Sequence, residues 1–123
     1  MERKLINVMW TRFISYEEVR NQSSCVYLHE WFGKVYYVGI VRRGTWFGGR
    51  YGKSYSHWID GCLEHGAKLY LGTIDDTDKD FLDTVEALLI KRLEPPKNVR
   101  KPYPRYEITL SHSGVVPSSV RSW

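Results

Sequence analysis

Two runs of β-forming residues stand on either side of a short turn, and they constrain this chain more than anything else in it. Residues 25–31 (Cys-Val-Tyr-Leu-His-Glu-Trp) alternate loosely, with Val26 and Leu28 set against Tyr27 and His29. Residues 35–41 (Val-Tyr-Tyr-Val-Gly-Ile-Val) are almost wholly β-branched or aromatic. Only Phe32, Gly33 and Lys34 separate them. Such runs fit a pleated, half-buried surface, and a short glycine turn between them predicts an antiparallel hairpin. Tyr27 and Tyr37 then lie on paired strands, although spacing alone does not say which face each takes. Gly39, inside the second run, suggests a bulge or the close approach of another backbone.

The rest of the chain reads as elements around this hairpin. Residues 1–24 are expected to be a leader with one short helix at about 15–21, where Ser15 and Glu18 have the spacing of a capping box. Four glycines between 44 and 52 (Gly44, Gly48, Gly49, Gly52) predict a loop longer than a minimal connection. A helix is expected from about Ser54 to His65, stopped by Gly66, with Tyr55, Trp58, Ile59, Cys62 and Leu63 as its apolar stripe. Residues 68–74 predict a third strand and residues 78–93 a second long helix. The acids Asp75, Asp76, Asp78, Asp80 and Asp83 suit that helix's positive N-terminal end. Pro95 and Pro96 end it. A last strand is expected at about 106–110, with the final ten residues poorly ordered. This order predicts one α+β domain, a small mostly antiparallel sheet flanked by helices. Its parts are a leader (1–24), a core (25–98) and a basic, Pro-containing extension (99–123).

A chain of 123 residues with 42% hydrophobic content can bury one core. The net charge of +4 is mildly basic, and its distribution says more than its size. Arg42, Arg43, Arg50 and Lys53 form one acid-free cationic segment. Lys97, Arg100, Lys101, Arg105 and Arg121 form another, with Glu107 its only acid. Two such segments could converge on one phosphate-binding face, or be ordinary solvated loops. Cys25 and Cys62 belong to no CxxC pair and stand at no zinc spacing, so both read as small buried hydrophobes. No signal peptide or membrane-spanning run is visible, which leads us to expect an intracellular, cytoplasmic protein.

Glu86 is the most unusual residue on physical grounds. At 100° per residue, Leu82, Leu89, Ile90 and Leu93 all fall within about 60° of it on the predicted helix. A carboxylate on an apolar face costs several kcal/mol or takes up a proton unless something compensates it. The compensation can be structural, through an ion pair, or functional, through a bound cation. Asn98, just beyond the Pro-Pro break, would ordinarily satisfy a turn.

Taken in order, these residues resemble the GIY-YIG nuclease superfamily of restriction, homing and repair enzymes. Cys25-Val26-Tyr27 matches its first motif, with Cys where the family usually has Gly. Tyr37-Val38-Gly39 matches the second. Arg50 matches the family's helix-borne Arg, followed by Tyr55 and His57. Glu86 matches its metal-binding Glu, and Asn98 its Asn after a basic, Pro-containing stretch. The resemblance covers residues 24 to about 98. The residue four beyond Arg50 is Ser54, so either Tyr55, nearer the family's spacing, or His57, the better proton acceptor near neutral pH, completes the set.

The resemblance implies hydrolysis of DNA, with RNA a second choice, assisted by a single Mg²⁺ or Mn²⁺ on Glu86. It implies Tyr27 as general base, with Tyr37 and His57 tuning or relaying the proton and Arg50 binding the scissile phosphate. Asn98 would orient Glu86 or a backbone segment. Arg42, Arg43, Lys53, Lys97, Arg100 and Lys101 would grip flanking phosphates. Cutting both strands would call for a homodimer, two successive nicks or reorientation. Two other readings stand beside this one: a catalytically inactive nucleic-acid-binding module on the same scaffold, and an unrelated α+β interaction protein with a basic tail.

Overall fold

The computed structural model describes residues 4–42, 63, 66–98 and 102–121. Its elements run β1 (Lys4–Phe13), α1 (Tyr16–Val19), β2 (Cys25–Trp31), β3 (Lys34–Val41), β4 (Lys68–Thr73), a 3₁₀ turn (Asp76–Phe81) leading into α2 (Leu82–Leu93), β5 (Ile108–Gly114) and α3 (Ser118–Arg121). The five strands form one sheet in the order β3-β2-β4-β1-β5. The pairs β3–β2, β2–β4 and β4–β1 are antiparallel, and β1–β5 is parallel. The fold is therefore α+β with a mixed sheet. Among the described residues no helix is long and apolar enough to cross a membrane.

The hairpin forms as its composition dictates. Tyr27 pairs with Gly39 and His29 with Tyr37, and a register shift falls between His29 and Glu30. Tyr36 is thereby left without a β2 partner, so the bulge is on β3, three residues before Gly39. What approaches Gly39 is a side chain: a methyl group there would overlap the Tyr27 phenol. Period-2 alternation sends β2 residues to both faces. Val26 and Leu28 join the larger core with Val38, Ile40, Val85 and Leu89. Cys25 and Tyr27 join a smaller cluster with Val41, Leu69 and Leu71, against which Tyr37 and Leu63 pack.

The largest departure from expectation is at the N-terminus. Residues 4–13 are not a leader to the core but a ten-residue strand between β4 and β5. Ile6, Val8 and Trp10 point into the main core and are at most 1% exposed. Leu5 and Met9 on the other face are apolar yet exposed. Those two residues hide the apolar–polar alternation that would have marked a strand. The short helix after it is present, shortened to one turn. At the other end, β5 runs to Gly114, and residues 115–121 are ordered. Val120 of α3 is buried in the main core, so the expectation of a loose tail fails there.

The second long helix begins later than the acid cluster suggests. Asp76–Phe81 form 3₁₀ geometry, capped by the Asp75 carboxylate accepting from Thr77 N at 3.0 Å, and the α-helix starts at Leu82. This capping hydrogen bond holds the Asp75 pKa below its ordinary value. Asp78 pairs with Lys4 at 3.0 Å, tying this turn to β1. The helix stops at Leu93, where Glu94 takes left-handed φ of 48° and donates its N–H to Ile90 O at 2.9 Å, with Pro95 next. The helix expected at 54–65 lies outside the described residues except for Leu63, which is helical. Gly66 follows with φ +95° and its N–H on Leu63 O, the expected stop.

Candidate functional site

Strand β3 is an edge strand, so the outward N–H and C=O groups of alternate residues need partners. They find them in the segment just after α2. Lys97 N donates to Tyr36 O at 2.9 Å. Asn98 takes up both polar groups of Val38: Val38 N donates to Asn98 Oδ1, and Asn98 Nδ2 donates to Val38 O, each at 2.8 Å. The Asn98 side chain thus acts as a one-residue extension of the sheet. Its own backbone N–H closes a turn on Pro95 O at 3.2 Å, so the turn role expected of it is present as well. A carboxamide offers a donor and an acceptor side by side, which a carboxylate or hydroxyl cannot match.

That clamp forms one wall of a cleft of about 600 Å³ along the edge of β3. Its described lining is Tyr37, Val38 and Ile40 from β3, Arg42 beyond it, Asp83, Glu86 and Ile90 from α2, and Asn98, Pro102, Tyr103 and Arg105 from the following segment. Glu86 is half-buried where the apolar face of α2 meets this opening. Leu82, Leu89 and Ile90 beside it are buried in the core, as the helical spacing predicts. Asp83, one turn earlier, holds Arg42 in a 2.8 Å ion pair, both side chains about half exposed. A pair that open to solvent contributes at most about 1 kcal/mol.

The two tyrosines occupy different positions. Tyr37 is half-buried and lines the cleft. Tyr27 has no exposed surface; it lies beneath, 6.0 Å from Tyr37 between ring centroids, with its ring over Gly39. His29 completes this aromatic group, at 5.7 Å from Tyr27, 5.6 Å from Tyr36 and 6.1 Å from Tyr37. Burial pulls the His29 pKa from 6.5 down to about 3, so it is a neutral imidazole near pH 7. Cys25, next to this group in the smaller core, is a free thiol whose pKa burial pushes up to about 12. It is unreactive packing, as its lack of partners in the sequence suggests.

The structure thus brings Tyr37, Arg42, Glu86 and Asn98 to one cleft and sets Tyr27 behind it. Lys97 lies on the β3 edge beside Tyr36. Arg43, Arg50, Lys53, Tyr55, His57, Arg100 and Lys101 lie outside the described residues. Asp83, Tyr103 and Arg105 line the cleft without having been singled out as site residues from the sequence. Asp83 carried a visible signal, since it stands one helical turn before Glu86. Tyr103 and Arg105 flank Pro104 in a segment with no periodicity, which left nothing to place them by. Among the described residues no three His, Cys, Asp or Glu side chains converge. The carboxylates that line the cleft among the described residues are those of Glu86 and Asp83. In comparisons with known proteins, no family model, no curated protein and no solved structure matched this chain.

Proposed function

We propose that this protein is a divalent-metal-dependent endonuclease that hydrolyses DNA phosphodiester bonds at the cleft beside β3, with a GIY-YIG-type set of residues. The observation that carries the reading is the convergence there of Glu86, Tyr37, Asn98, Arg42 and Arg105 from three separate stretches of chain. A half-buried carboxylate facing a cavity of this size, with cationic side chains around it, suits a phosphate-bound cation.

The donor set fits Mg²⁺ or Mn²⁺. Mg²⁺ is ordinarily held by one or two carboxylates together with substrate phosphate and water, rather than by a cage of protein ligands. Glu86 would supply the first carboxylate and Asp83 lies one turn away. The cation, when bound, would stabilise negative charge on the phosphate and on the leaving oxygen. Arg42 and Arg105 would bind the phosphate by charge-assisted hydrogen bonds. Of the two hairpin tyrosines Tyr37 is the one that lines the cleft, and we assign it the proton taken from the attacking water. A phenol with pKa near 10 does this at neutral pH only with cations beside it. Tyr27, buried beneath, holds Tyr37 in place. Asn98 acts at one remove by fixing the β3 backbone that carries Tyr37.

The test is nicking of supercoiled plasmid with Mg²⁺, with Mn²⁺ and with EDTA. Glu86→Gln should abolish nicking while DNA affinity changes by less than about threefold, because the phosphate contacts come from Lys and Arg side chains that the substitution leaves in place. In the same assay Tyr37→Phe should lose more activity than Tyr27→Phe. Nicking by Glu86→Gln at the wild-type rate would overturn the metal assignment. DNA binding with no metal-dependent nicking by the wild type would leave the reading of a non-catalytic binding module.

A further inference from the structure

The turn that closes the β2–β3 hairpin is built against local preference. Phe32 has φ 52° and Gly33 φ 75°, so both central residues are left-handed. Hairpin turns of this type favour Asn-Gly, and a bulky side chain at the first position is a steric outlier. Packing does not compensate Phe32, which is 92% exposed. Its ring instead stacks on Trp31, with centroids 5.6 Å apart and planes 12° from parallel, and Trp31 is itself 39% exposed. Strain with no burial to offset it points to a use for the exposed ring.

The tip is also braced. Glu30, one residue before Trp31, is only 1% exposed, and its carboxylate accepts from Ser118 Oγ at 3.1 Å and Ser119 N at 3.4 Å. The Ser119 hydroxyl lies 3.0 Å from the same carboxylate and 2.8 Å from Gly33 O, in the turn itself. Val120 then anchors this segment in the core. The stacked pair therefore projects from a fixed base, which lowers the entropy lost when a ligand binds.

Charge says what kind of ligand fits. Glu30 is the only acid between residues 25 and 41, and it is buried. Lys34 follows the turn, and Lys97 is hydrogen-bonded to the β3 edge at Tyr36. The exposed surface offers flat aromatic rings with cations beside them, the combination that takes up unpaired nucleobases and their phosphates. Tyr37 of the cleft is five residues from Phe32, about 15 Å along the strand. That spans four or five stacked nucleotides at about 3.4 Å each.

We infer that the Trp31–Phe32 tip is a stacking platform for an unpaired base, so that the favoured DNA carries a single-stranded segment four or five nucleotides from the cleft. The inference rests on the nucleic-acid part of the proposed function and not on cleavage. It is tested by fluorescence anisotropy in EDTA, with a labelled 20-nucleotide single strand and the matching duplex. Phe32→Asn restores the turn's preferred residue, so its melting temperature should equal or exceed the wild type's, which separates loss of binding from loss of fold. Its single-strand affinity should fall about tenfold and its duplex affinity by less than about twofold, while Phe32→Trp keeps both. Unchanged single-strand affinity in Phe32→Asn, an equal loss on both probes, or no single-strand binding by the wild type would each overturn the platform. Plasmid nicking reports separately: nicking with no effect of Phe32→Asn on binding leaves the nuclease and removes the platform, and the reverse pattern does the opposite.

Discussion

His29 shows how one buried residue sets the conditions under which this protein holds together. It sits among Tyr27, Tyr36 and Tyr37, and burial lowers its pKa to about 3. The unfolded chain takes up a proton on this imidazole below about pH 6.5, and the folded chain does not until about pH 3. The contribution of neutral His29 is therefore complete above pH 6.5 and is lost as pH falls from there toward 3. The slope in that window is about 1.4 kcal/mol per pH unit. Urea unfolding of the wild type and His29→Phe between pH 7 and 4 should show the wild type weakening more steeply. Parallel pH profiles would remove His29 as the cause. The same neutrality bears on the candidate site, since near pH 7 His29 stands beside Tyr27 as a neutral imidazole, with one N–H donor and one acceptor nitrogen. Glu86 makes the complementary point: a carboxylate at an apolar helix face is tolerated because the face ends at an opening rather than in the core.

Strand β3 is the element on which the site depends. It borders the cleft, presents Tyr37 to it and carries Gly39, without which Tyr27 has no room. As an edge strand it would expose unpaired backbone groups, and Asn98 covers two of them. Asn98→Ala removes both hydrogen bonds, each with a net value of about 1 kcal/mol. We expect a stability loss of about 1–3 kcal/mol by urea unfolding, together with faster hydrogen exchange at the Val38 amide. Wild-type exchange at Val38 would show that the clamp is not holding the strand. Both hairpin strands and the β4 strand are legible from their β-branched and aromatic runs. So is α2, whose apolar stripe and Pro-Pro stop leave little choice. The 3₁₀ turn ahead of it is not, because Asp75 capping Thr77 N satisfies the chain locally before the α-helix begins. What Asn98 pairs with is not legible either, since its partner lies 60 residues away in sequence.

The whole molecule is closed by its two ends. β1 lies inside the sheet and β5 pairs parallel to it, Lys4 facing Ile108 and Trp10 facing Gly114. The Trp10 indole N–H donates to His112 Nδ1 at 2.9 Å across this pair. α3 then packs into the same core as α2, burying Val120 and giving Glu30 its hydroxyl partners. Removing residues 115–123 takes away both the apolar plug and those hydrogen bonds, leaving a carboxylate at a buried position. That should cost at least about 3 kcal/mol, and Glu30→Gln should recover part of it. A truncated chain as stable as the full one, by thermal or urea unfolding, would show that the terminus is not part of the folded unit. The residue order alone determined the hairpin, the β4 strand, the α2 helix and the oddity of Glu86, because each follows from periodicity and local sterics within about a dozen residues. Only the tertiary structure decided that the two termini complete the sheet, that Tyr37 faces the cleft while Tyr27 lies beneath it, and that Asn98 clamps β3. Those outcomes depend on pairings between segments distant in the chain, and periodicity along the chain carries no information about which segments will meet.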